Sequence, residues 1–281
     1  MSNMRIREIT HDDLSDIKNL LCEGFPRRSE AYWHTALQHL DERPEVEGYP
    51  RFGYLLEVEG KAEGVILLLT SSQKGRIFSN LSSWYVREPH RKFAAFLFQR
   101  SMRTKGGTYV NLSPSAVALP IAQAFGFKPY TQGMLLMGPL AAFKSGSAKV
   151  STASAEEIVQ LCHEDHSLKD VVQRQIGFGC RALKIEDDHG PMLTLYRSTR
   201  FKRYLPAAQF LFGDVDRIVA AAGPLYRALA QQGFACLLLD RPENLDPGFG
   251  IFALPNRGIR YAKGTAPKVG DLLETELSVF G

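Results

Sequence analysis

Residues 80–97 read Asn80-Leu81-Ser82-Ser83-Trp84-Tyr85-Val86-Arg87-Glu88-Pro89-His90-Arg91-Lys92-Phe93-Ala94-Ala95-Phe96-Leu97. The run up to Val86 is strand-like, Pro89 marks a stop, and the residues from Arg91 to Arg103 carry a helical pattern that would turn Phe93, Phe96 and Leu97 inward. A helix start leaves backbone N–H groups without internal partners and carries the positive end of the helix dipole. With Arg91 and Lys92 beside it, such a start can hold a pyrophosphate. The wider cluster Arg87, Arg91, Lys92, Arg100, Arg103 and Lys105 is opposed only by Glu88. It reads either as a site for an anionic ligand or as a solvated helix face.

Working outward, residues 5–9 alternate as a strand, and a helical pattern follows with Leu14, Ile17, Leu20 and Leu21 on one face. Gly24-Phe25-Pro26 ends it. A second helix opens at Ser29-Glu30 and repeats Tyr32, Trp33, Ala36, Leu37 and Leu40. Phe52–Val58 and Ala62–Thr70 are strands joined by Glu59-Gly60-Lys61, a hairpin connection, and Ile77–Val86 is a third strand. Beyond the helix, Gly106-Gly107 leads into a strand over Thr108–Leu112. A helix over Ser115–Phe125 is then capped by Gly126, and strands follow over Phe127–Tyr130 and Met134–Leu140.

The text then becomes Gly-, Ser-, Ala- and Lys-rich, which places a linker at 141–153 between domains at 1–140 and 154–281. The second half repeats the order coarsely. It has helices near 154–175, a strand pair at Cys180–Ile185 and Met192–Ser198, and a strand at Ala207–Phe212. A long amphipathic helix that Gly223-Pro224 must kink or divide comes next, then a strand at Phe234–Leu239.

The composition, with 44% hydrophobic and 23% charged residues and a net charge of +4, excludes disordered, collagenous and coiled-coil classes. No half carries a basic arm, so nucleic acid is not an expected partner. The four cysteines are far apart and form no C-x-x-C pair. His163-Glu164-Asp165-His166 lacks the H-E-x-x-H spacing, so no metal is expected. No third glycine follows Gly177-Phe178-Gly179, and no G-x-S-x-G elbow occurs. The longest apolar run, Val65 to Leu69, is far short of a bilayer span, and no export signal precedes the first strand. The expectation is a cytoplasmic protein without a membrane partner.

The stretch at 84–96 resembles the GCN5-related N-acetyltransferase superfamily. The signature of that family is a strand ending in a hydrophobic-x-Pro turn, followed by R-x-x-G-x-G/A at a helix start. Val86 to Pro89 match the turn and Arg91 takes the arginine position, while Ala94 replaces the first glycine and Phe96 the second. Asn111, the helix up to Phe125 and the closing Phe125-Gly126-Phe127 match the family's next strand, helix and final turn. The resemblance covers residues 5–140. It implies an α+β fold of two acyl-CoA N-acyltransferase-like domains in tandem, each a mixed, mostly antiparallel sheet flanked by helices.

The resemblance further implies an acyl group passed from acetyl-CoA or another acyl-CoA to an unidentified small-molecule or peptide amine. Trp84, Tyr85, Val86, Arg91, Lys92, Phe93, Ala94 and Ala95 would hold the cofactor. Tyr85, Tyr109 and Asn111 are the catalytic candidates; His90 also carries a dissociable proton, Ser82 could hydrogen-bond the thioester or amine, and Glu57, Glu59 or a water could be the base. The acceptor would meet Phe25, Arg27, Arg28, Tyr32, Trp33 and Ser83. Where the family often has a tyrosine to protonate the departing thiolate, this chain has Ala122. Together with Ala94 and Phe96, that supports a rival reading, a non-catalytic module of the same fold that binds CoA or another anion. In the second half Phe212-Gly213-Asp214-Val215-Asp216 puts carboxylates where phosphate would need donors, so one cofactor site is expected per chain, in the first half.

Overall fold

A computed structural model describes residues 3–73, 75–104, 106–163, 165–271 and 273–280. Lys105 and Glu164, named above, lie outside the described residues, and so does the side chain of His166. The first strands are β1 (Met4–Glu8), β2 (Gly53–Val58), β3 (Lys61–Gln73), β4 (Arg76–Val86), β5 (Thr108–Asn111), β6 (Lys128–Pro129) and β7 (Met134–Met137). They are followed by β8 (Lys149–Thr152), β9 (Arg181–Asp187), β10 (Gly190–Phe201), β11 (Leu205–Phe212), β12 (Cys236–Asp240), β13 (Ile251–Leu254) and β14 (Tyr261–Lys263). The helices are α1 (Leu14–Gly24), α2 (Glu30–Asp41), α3 (Ala94–Ser101), α4 (Ala118–Ala124), α5 (Ala155–Leu161), α6 (His166–Gly177), α7 (Val215–Ala220), α8 (Ala222–Ala230) and α9 (Glu276–Val279).

The strands form two seven-stranded mixed sheets, ordered β1-β2-β3-β4-β5-β14-β6 and β8-β9-β10-β11-β12-β7-β13. Each begins with four antiparallel strands and continues with a parallel fifth. Each then takes its sixth strand from elsewhere in the chain, β14 in the first sheet and β7 in the second.

The chain divides into a unit of 1–128, 261–266 and 274–281 and a unit of 129–260 and 267–273. The boundary expected at 141–153 therefore lies inside the second unit. Strand β8 occupies Lys149–Thr152 and pairs with β9, and a 3-10 turn occupies Pro139–Phe143. Strand β7, expected to close the first sheet, pairs instead with β12 and β13. Its buried Met134, Leu135 and Met137 satisfy a second-unit core that local pattern does not reveal.

In the first unit, Glu59 and Gly60 both take positive φ between Val58 and Lys61, the two-residue turn whose twist suits an antiparallel pair. Helices α1 and α3 lie on β3, burying Ile17, Leu20 and Leu21 from one and Leu97 and Phe98 from the other. The expectation for α3 needs correction. Phe96 is 57% exposed, and Phe98, at 1%, takes the inward place against Trp84, Phe125 and Phe127. The cause is that Glu88–Phe93 forms a 3-10 turn, so the α-helix starts only at Ala94 and its buried face passes through 97, 98 and 101.

In the second unit, the long helix expected around Pro224 is divided at Ala221, which leaves Pro224 in the first turn of α8, where a missing N–H costs little. Gly223 lies against the Lys144 carbonyl, so closely that a Cβ there would collide with it.

Candidate functional site

The first sheet opens between β4 and β5. Their parallel pairing runs only through Phe78↔Thr108, Ser79↔Tyr109 and Asn80↔Val110. Strand β4 continues through Val86 while β5 ends at Asn111, so Leu81–Val86 have no β5 partner. On its other edge β4 carries a bulge. Val65 faces Tyr85 and Leu67 faces Ser82, which leaves Ser83 and Trp84 together opposite Ile66. Ser83 takes φ +52°, a left-handed conformation that a serine holds only under local constraint.

Asn80, 1% exposed, stands where the strands part. Its Nδ2 donates to the carbonyls of Leu81 and, at 3.3 Å, of Val110 on β5. Its Oδ1 accepts from the backbone N–H of Glu276 at 2.8 Å. Glu276 opens α9, nearly two hundred residues further along the chain. Its carboxylate accepts from the hydroxyl of Ser82 on β4 through Oε2 and from that of Ser113, just past β5, through Oε1. The two triplets Asn80-Leu81-Ser82 and Asn111-Leu112-Ser113 thus supply one hydroxyl each to a single carboxylate. The recurrence of Asn-Leu-Ser in the two segments is the sequence signal of this shared role.

Beyond the fork, β4 leads into the 3-10 turn and α3. Neither the turn nor the helix start has a side-chain cap among the described residues. Arg91 is exposed and 3.9 Å from Glu88, and Lys92 lies over the Phe93 ring at 5.1 Å. Both cations are exposed beside the turn, whose His90 and Ala94 N–H groups donate to the Arg87 and Arg91 carbonyls. Phe93 and Ala94 are half-buried and Ala95 is exposed there, while Val86 is buried. Arg87, by contrast, is held by Glu23 and Glu63. His90 sits 3.8 Å from Glu63.

The catalytic candidates separate. The Tyr85 hydroxyl donates to Glu23 at 2.7 Å, and its ring lies against Gly24 at the end of α1. Burial, followed by the Glu23 carboxylate, raises its pKa, so the phenol keeps its proton at neutral pH. Tyr109 does not belong at the site. It is buried, donates to the Thr104 carbonyl at 2.7 Å, and burial drives its pKa far up. Asn111 ends β5, paired with Tyr261 of β14. Glu57 is tied to Arg5 and Arg7, which lower its pKa and commit it as an ion-pair partner. Glu59 is an exposed turn residue.

The acceptor-side residues divide in the same way. Arg27 and Arg28 are exposed, with Arg28 stacked over Tyr32 at 4.4 Å. Trp33, expected to meet substrate, is only 2% exposed, because Phe25, Tyr32 and Phe280 enclose its ring. Phe280 follows α9, so the same segment that places Glu276 in the fork also packs on Trp33 of α2.

No protein-family model matches the sequence, and no curated protein matches it by sequence. The architecture does have counterparts. A GCN5-related N-acetyltransferase from Anabaena variabilis superposes with a TM-score of 0.61 at 10% identity, over 92% of this chain and 72% of that one. The fold is that of the GCN5-related N-acetyltransferases. A second such enzyme, from Kribbella flavida, gives 0.56 at 11% identity over 93% and 71% of the two chains. The N-myristoyltransferase of Saccharomyces cerevisiae, solved with myristoyl-CoA bound, gives 0.51 at 9% identity over 93% and 82%.

The second unit of this GCN5-related fold has its own parallel step, β11 beside β12 through Ala207↔Cys236 to Gln209↔Leu238. Its helix start is closed, however. The Asp214 carboxylate accepts the Arg217 N–H, and the Gly213 N–H donates to the Gly270 carbonyl. Among the described residues there is no cluster of metal-ligating side chains, and no helix is long and apolar enough to cross a membrane.

Proposed function

We propose that the first unit is an acyl-CoA-dependent N-acyltransferase acting on an amine. The observation that carries this reading is the opening of β4 from β5 directly ahead of a cation-flanked 3-10 turn and helix, within a GCN5-related fold. The exposed Arg91 and Lys92 beside the turn after Pro89 suit a pyrophosphate. The unpaired edge of Ser83–Val86 offers backbone groups to an extended amide-bearing arm. An acyl-CoA supplies an activated thioester at such a site. The remaining work is positional. The bulge at Ser83 turns backbone groups toward the reacting carbonyl, and the loop bearing Phe25, Arg27 and Arg28 borders the acceptor side. Tyr85 is the proton donor for the departing thiolate, while Tyr109 is excluded by its burial. The carboxylate-capped helix start of the second unit supports one site per chain.

The departures from the family signature are compatible with a ligand here. Ala94 adds only a methyl group, and Phe96 faces solvent rather than filling the turn. Ala122, fully buried on α4, favours the second reading, a module that binds acyl-CoA without turnover, because no phenol can stand there. Thermal shift with CoA and acetyl-CoA tests the first step, since a ligand that favours the native state raises its melting temperature. Arg91→Glu should abolish that shift without altering the unliganded melt. Free-thiol release from acetyl-CoA with a panel of primary amines separates the enzyme from the binding module. The absence of any shift with CoA would overturn both readings.

A further inference from the structure

We propose that Glu276 closes the acyl end of this site and limits it to short acyl groups such as acetyl. The inference rests on the acyl-CoA reading above. A ligand whose pyrophosphate sits near Arg91 and whose arm runs back along β4 passes from Val86 to Ser83 in three strand steps, roughly 10 Å at about 3.3 Å each. Its thioester then lies at the bulge, and anything attached beyond points toward Ser82 and the apex at Asn80.

That apex is already built over. The Asn80 amide bridges both strands, the Glu276 N–H is fixed on it, and the Glu276 carboxylate spans from Ser82 to Ser113. A hydrocarbon tail would have to displace a carboxylate held by two hydroxyls or lie against it, and both are unfavourable.

The segment carrying Glu276 is anchored on both sides. Glu274, buried, lies 3.7 Å from the buried Arg43 guanidinium. The Thr275 N–H donates to Ser278 Oγ at 3.1 Å. The Val279 carbonyl meets His39 Nδ1 at 2.8 Å, and Phe280 packs on Trp33. The carboxylate is therefore a fixed wall of the fork.

Calorimetric titration of the intact chain with CoA, acetyl-CoA, butyryl-CoA and octanoyl-CoA tests this without an acceptor. Wild type should bind acetyl-CoA at least as tightly as CoA and octanoyl-CoA about tenfold or more weakly, and Glu276→Ala should bring that ratio below about threefold while leaving CoA affinity in place. Ser113→Ala, which releases one carboxylate oxygen, should give an intermediate ratio. Equal binding of acetyl- and octanoyl-CoA by wild type would overturn the inference and leave the acyl-CoA reading standing. Failure to bind CoA at all would overturn that reading, and the inference with it. If Glu276→Ala does not fold, the wild-type series decides by itself.

Discussion

Replacing Asn80 with leucine keeps the branched shape of the side chain and removes every polar contact it makes at the fork. Two donated bonds, to the Leu81 and Val110 carbonyls, and one accepted from the Glu276 N–H are lost together. At a net value near 1 kcal/mol per bond the loss comes to about 3 kcal/mol, and orphaning the Glu276 N–H at the start of α9 adds to it. For a protein of this size that corresponds to a fall in melting temperature of roughly 6–12 °C. The assay is favoured by the sequence, because both tryptophans, Trp33 and Trp84, lie in the first unit, so intrinsic fluorescence in a urea titration follows that unit alone. Gln99→Ala, on the exposed face of α3, is the control and should move the midpoint by less than about 0.5 kcal/mol. A loss under about 1 kcal/mol for Asn80→Leu, with the slope of the transition unchanged, would refute the assignment of Asn80 as the clasp between β4, β5 and α9.

Phe98→Ala should cost the first unit about 3–5 kcal/mol in the same titration, whereas Phe96→Ala should stay within about 0.5 kcal/mol, which reads directly which ring of α3 faces the core. Asp13 is held well below the usual carboxylate range, first by hydrogen bonds from the Arg7 guanidinium. A carboxyl depressed in the folded state contributes stability that is full above its unfolded pKa of about 3.9 and is lost as pH falls further, so Asp13→Asn should lower stability at pH 7 and flatten its decline below about pH 5. Stability curves of the two proteins that stay parallel from pH 7 to 2 would contradict this. Gly223→Ala drives a methyl group into the Lys144 carbonyl and should destabilise the second unit by about 1–3 kcal/mol, followed by far-ultraviolet circular dichroism because that unit has no tryptophan.

Much of the fold and part of the site could be read without coordinates, because the signals were local. The Glu59-Gly60 turn, the break at Gly24-Phe25-Pro26 and the passage from β4 through Pro89 into α3 each depend on dihedral preferences and periodicity within a few residues. The exposed cations Arg91 and Lys92 beside the Pro89 turn were legible for the same reason. The inward set of α3 differs from the expectation because the six-residue 3-10 segment Glu88–Phe93 delays the start of the α-helix to Ala94 and shifts its phase. Tyr109 and Trp33 were misassigned because proximity in sequence to a cleft says nothing about burial, and burial is a property of what packs around a ring.

The amino-acid order by itself determined two successive αβ patterns, a strand, proline turn and basic helix start, and carboxylates at the matching turn of the second half. Only the tertiary structure decided that β7 and β14 each serve a sheet distant in sequence, that β4 parts from β5 after Asn80, and that Ser82 and Ser113 hold the carboxylate of Glu276. The physical reason is separation along the chain. Local preferences bias a residue's own backbone angles, whereas the partner of a buried amide or hydroxyl is chosen by whichever group the completed packing brings within hydrogen-bonding reach.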